Sequence, residues 1–99
     1  MLSIRTILHP TDLSDFSKYA FELACALARD HRARLIVAHV LAESMTSDPA
    51  EEYVEVKEKL NQIQAPPGKM RLEHRLLVGD PVEEICQLAR ETRTRLIVM

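Results

Sequence analysis

The residues best suited to chemistry stand just past the first apolar run, where Pro10, Thr11 and Asp12 follow Ile4 to His9. A carboxylate there can accept hydrogen bonds from a ribose hydroxyl or an adenine amino group, and Pro10 fixes the backbone entering the turn. Asp12 also has a plainer use, shared with Ser14, as the N-cap of the next helix. Val40 lies near the end of the second apolar run, and there only the main chain would act, by pairing with the edge of a base. His9 and His39 fall near the ends of these two runs, but no carboxylate or cysteine at ligand spacing joins them, so no metal site is expected. Cys25 and Cys86 match no redox or ligand spacing; Cys86 reads as a small apolar core residue and Cys25 as part of a helix flank. The chain shows no paired carboxylates, Ser-His-Asp set or Walker loop, so no enzymatic activity is expected.

The elements that must position these residues follow from apolar spacing. Ile4 to His9 is β-prone and stops at Pro10. Phe16, Ala20, Leu23, Ala24 and Leu27 recur at helical spacing, and the cluster from Arg29 to Arg32 suits a helix end. Leu35 to Leu41 is almost continuously apolar, as in a parallel strand covered on both faces. Ser47 and Asp48 precede Pro49 and open a second helix, whose inward stripe is Tyr53, Val56, Leu60 and Ile63. Pro66-Pro67-Gly68 stops it. Leu72, His74, Leu76 and Val78 alternate as in an edge strand. Asp80 and Pro81 open a third helix with Val82, Ile85, Cys86 and Ala89 inward, and Leu96 to Met99 reads as a fourth strand. The order β-α-β-α-β-α-β specifies a doubly wound parallel α/β sheet.

Ninety-nine residues make one domain, 1–99, with 46% hydrophobic and 28% charged residues, an ordinary globular balance. A net charge of −2 argues against sequence-independent nucleic-acid binding, and no apolar run is long enough to span a bilayer. The polar N-terminal segment does not resemble a secretory signal, so a reduced, cytoplasmic chain is expected. An apolar strand with no covering helix closes the chain. The expectation is a fragment, or a chain whose missing layer another chain supplies, with weak nucleotide affinity and association through that strand if it stands alone.

HPTDLSDFSKYAFELACALA, LIVAHV, VGDPVEEICQLA and RLIVM, in this order and spacing, resemble the universal stress protein family over essentially the whole chain. The resemblance implies a Rossmann-like sheet of five strands in the order 3-2-1-4-5, of which the first four are present here, without the fifth strand and last helix. It implies a homodimer and, in the nucleotide-binding subgroup, ATP (or AMP or ADP) between strands one and four, with magnesium only as the nucleotide's companion. Pro10, Thr11 and Asp12 match the first-loop contacts, Val40 the position whose backbone meets adenine, and Met99 the residue leading into the phosphate segment. That segment's Gly-x-x-Gly would begin after Met99. The other subgroup implies a stress-response interaction module that binds no nucleotide.

Overall fold

The computed structural model describes residues 3–42, 48–68 and 70–99. Four strands, β1 (Thr6–Pro10), β2 (Arg34–Leu41), β3 (Arg71–Val78) and β4 (Leu96–Ile97), alternate with three helices, α1 (Ser17–His31), α2 (Pro49–Asn61) and α3 (Pro81–Glu91). Every pairing is parallel and the strand order is β3-β2-β1-β4. The chain steps outward from β1 to β3, then returns across the sheet to β4 on the other side of β1. Right-handed crossovers therefore put α1 and α2 on one face and α3 on the other. Two core clusters record this division. Ile7, Leu35 and Val37 pack against Ala24, Cys25, Ala28 and Leu60, whereas Leu8, Ile36 and Ala38 pack against Leu88. The expected doubly wound, Rossmann-like α/β sheet is the observed one, and β3 lies at an edge of it, as its alternation implies. Among the described residues, no helix is long and apolar enough to cross a membrane.

Helix starts follow local chemistry where the sequence supplies it. Asp48 accepts from the Glu51 amide at 3.0 Å and Asp80 from the Glu83 amide at 3.0 Å, each ahead of a proline in the first turn. Ser47, expected to share the first of these starts, lies outside the described residues. Gly79, at φ +140°, makes the turn into α3, and a Cβ there would come within 2.9 Å of the Glu84 carboxylate.

Several expectations need correction. Neither Asp12 nor Ser14 caps α1; its N-cap is Phe16, with no side-chain cap bond. Phe16 is 91% exposed and Leu23 55%, because α1 seats Ala24, Cys25 and Ala28 on the sheet and turns those two to its outer flank. The cysteines exchange their expected places. Cys25 is buried in the core and Cys86 is exposed, since α3 packs through Ile85, Leu88 and Ala89. Val82 is likewise exposed. The strand expected over Leu96 to Met99 is paired only at Leu96 and Ile97.

That last shortening has a chemical cause. The Val98 amide donates to the Leu8 carbonyl at 2.9 Å. In a parallel ladder the Val98 carbonyl would next accept from the amide of residue 10, which is proline and has none. The His9 ring takes over that acceptor, its Nδ1–H donating to the Val98 carbonyl at 2.7 Å. A buried side chain thus replaces the missing rung.

Candidate functional site

In an open α/β sheet, the crevice lies beyond the carboxyl ends of the strands, where the direction of winding reverses. Here that point is between β1 and β4. A cleft of about 410 Å³ opens there, and Pro10, Thr11, Asp12, Val40 and Met99 all line it. All five residues expected from the sequence are therefore brought together. Ser17, Ala38, His39, Pro81 and Ile85 complete the wall. Pro81 and Ile85 come from α3. Pro81 belongs to the Gly79-Asp80-Pro81 turn, which reads from the sequence mainly as a strand-to-helix turn with a lesser claim to the site rim, whereas Ile85 is brought over the cleft by the β3-to-β4 crossover and had no sign in linear spacing.

The cleft's polar groups are set by where β1 stops. The Thr11 amide donates to the Ala38 carbonyl at 2.8 Å, so the main chain of Ala38 faces β1. Alternation along β2 turns the N–H and C=O of Val40 to the same side, two residues on. By then β1 has ended at Pro10, which pairs with Ala38. Val40 therefore presents an adjacent donor and acceptor to the cleft with no strand partner. Leu41, the next residue, faces the other way, where its carbonyl accepts from the Gly79 amide at 3.0 Å. His39 is tied down by its Nδ1–H, which donates to the Thr11 carbonyl at 2.8 Å.

Asp12 sits exposed at the mouth. Its Oδ1 accepts from the Ser14 hydroxyl, from the Ser17 hydroxyl at 2.6 Å and from the Ser14 amide at 2.9 Å. These bonds, the Ser14 hydroxyl foremost, hold its carboxyl down to about 2. Asp12 is thus an anion whose Oδ1 takes three hydrogen bonds, with none to Oδ2 among the described residues. Ser14 and Ser17 were not among the expected site residues; the spacing of serines two and five residues after an aspartate was the available sign.

The paired-histidine reading finds each ring's Nδ1–H on a different backbone carbonyl. Among the described residues, no group of three His, Cys, Asp or Glu side chains is arranged to hold a metal ion.

Comparison with known proteins bears on this arrangement. The sequence model of the universal stress protein family matches residues 3–99. A universal stress protein of Thermus aquaticus, encoded in the 3′ region of a QAH/OAS sulfhydrylase, is 36% identical over 103 aligned residues, which cover 96% of this chain and 75% of that protein. The solved structure of the universal stress protein UspA from Lactobacillus plantarum superposes with a TM-score of 0.73 at 26% identity, covering 99% of this chain and 77% of its own. A universal stress protein in complex with cAMP superposes at 0.71 with 23% identity, covering 99% and 77%.

Proposed function

The chain belongs to the universal stress protein family, and we propose that its β1–β4 cleft binds the adenosine part of an adenine nucleotide, with ATP the first candidate and AMP or ADP the variants. The observation that carries this reading is the open N–H and C=O of Val40 beside the ionised Asp12. An adjacent donor and acceptor on one strand match the Watson–Crick edge of adenine, which offers an acceptor ring nitrogen next to an amino donor. The second carboxylate oxygen of Asp12, Oδ2, suits a ribose hydroxyl. Pro10, Thr11, Ala38 and Ile85 give the base apolar walls, and Met99 closes the β4 side. Magnesium would enter only with the phosphates. The cAMP complex of a relative lends fold-level support for an adenine ligand.

No catalytic step is assigned. The polar side chains of the cleft are Asp12, whose Oδ1 is held by serines, and His39, whose Nδ1–H is held by the Thr11 carbonyl, and this reading gives them binding roles only. The nucleotide acts as a signal in this reading, altering dimerisation or partner contacts of a cytoplasmic stress-response module. Calorimetric titration with ATP tests it. Wild type should bind saturably, and Asp12→Asn, which keeps the turn but loses the charge, should bind about tenfold more weakly. No binding of ATP, ADP or AMP, or equal affinity in the two proteins, would sink the proposal. The first of these outcomes would favour the family's non-nucleotide interaction module.

A further inference from the structure

The outer edge of β3 is open. Among the described residues β3 has a neighbouring strand on one side only, and its register with β2 runs unbroken from Arg71 to Val78. The Gly79 amide donates to the Leu41 carbonyl, so the odd-numbered residues of β3 turn their main chain toward β2. Leu72, His74 and Leu76 therefore turn their N–H and C=O outward, as a template for another strand. Side chains alternate between the two faces. Leu72 and Leu76 pack in the cluster beneath α1 and α2, and His74 donates from Nε2 to the Ile63 carbonyl at 2.6 Å. Glu73 and Arg75 lie on the opposite face, with Ile36 and Leu77.

We propose that a second copy of this chain adds its own β3 to this edge, antiparallel and about a two-fold axis at His74, joining the two four-stranded sheets into one. In such a contact the strand meets itself, so its charges must complement themselves. Hydrogen bonds can be exchanged only between outward-facing residues, which centres the pairing on a residue, and charge selects which. Centring on Glu73 would oppose Glu73 to itself and Arg71 to Arg75. Centring on Arg75 would oppose Arg75 to itself. Centring on Leu72 would match Arg71 with Glu73, but with strand overlap over residues 71–73 alone. Centring on His74 overlaps residues 71–77 and sets Glu73 against the partner's Arg75, and Leu72 against the partner's Leu76, each twice. Glu73 and Arg75 then occupy non-hydrogen-bonded pairs, in which facing side chains lie closest. Arg75 is exposed and makes no ion pair among the described residues, while Glu73 meets Arg34 through Oε1 at 3.1 Å with no bond to Oε2. Charges on an edge strand ordinarily keep a second strand away. Opposite charges placed symmetrically about His74 instead select one register.

Sedimentation velocity over a range of concentrations tests the pairing, and amide exchange locates it. Wild type should dimerise, with the amides of Leu72, His74 and Leu76 exchanging more slowly as the dimer forms. Arg75→Glu, at an exposed position outside any ion pair, should weaken the dimer about tenfold by setting like charges opposite each other at both contacts. Glu73→Arg should do the same. An equal mixture of the two variants should dimerise again, since opposite charges then meet at both contacts. A wild type that stays monomeric, equal association in wild type and Arg75→Glu, or protection at Ile97 on the outer edge of β4 in place of the β3 amides would overturn the assignment. So would two folded variants that fail to associate when mixed. If loss of the Arg34 pair unfolds Glu73→Arg, the Arg75→Glu comparison and the wild-type exchange still decide.

Discussion

A proline in a central parallel strand normally deletes a rung from the ladder; at Pro10 the neighbouring imidazole restores it. Burial of the His9 ring, rather than that bond, favours its neutral form. Burial pushes its pKa below the ordinary histidine value of 6.5, more than the bond to Val98 and the charge of Asp12 raise it. The unfolded chain therefore takes up a proton that the folded one refuses. His9's contribution to stability is complete above about pH 6.5 and is lost as pH falls below it, at up to about 1.4 kcal/mol per pH unit until the folded ring itself titrates. Urea unfolding at pH 7.5 and pH 5 should show this fall, and the His9 ring should titrate below 6.5 by NMR; a ring titrating at or above 6.5 would refute it. The sequence showed Pro10, Thr11 and Asp12 as a site loop, because turn chemistry is local. It could not show the His9–Val98 bond, which joins residues 89 positions apart and exists only once the strand order is known.

At the scale of elements, capping divides the helices. α2 and α3 start on aspartates whose carboxylates accept main-chain amides, whereas α1 starts without such a bond. Asp80→Ala should lower stability by about 1 kcal/mol, read as a lower urea midpoint with unchanged slope; a change below 0.3 kcal/mol, roughly the noise of such data, would refute the cap's role. The start at Asp80-Pro81 was legible because cap and proline are adjacent. The faces were less so. Phe16 and Leu23 fit helical spacing as well as Ala24 and Ala28 do, but close seating of α1 on β1 and β2 favours small side chains at the contact. Cys86 follows Ile85 by about 100° of helical rotation, enough to move it off the sheet.

At the scale of the molecule, the continuous apolar run of β2 was the clearest sign of a sheet covered on both faces, and Ile36 and Val37 now lie fully buried in opposite clusters. Ile36→Ala should cost about 2–5 kcal/mol, while Val54→Ala, at a 53% exposed position, should stay within about 0.5 kcal/mol. Similar losses at both positions, measured by chemical unfolding, would contradict this core. The net charge of −2 gave no sign of how charge is distributed. Arg5, Arg32, Arg34 and Arg71 line a groove at the end of the sheet where the strands begin, and Asp12, Asp48 and Asp80 stand at the helix-start end. The position of β1 also has a kinetic consequence. It leaves the ribosome before both strands it pairs with, so its β2-facing edge must wait for residues 34–38 and its β4-facing edge for residues 96–98. Until then Ile7 and Leu8 are apolar groups on an unpaired strand, the kind of exposed edge that nascent chains lose to aggregation or shield with chaperones. The rung that His9 supplies therefore closes only once β4 has docked, so its formation reports the β1–β4 pairing.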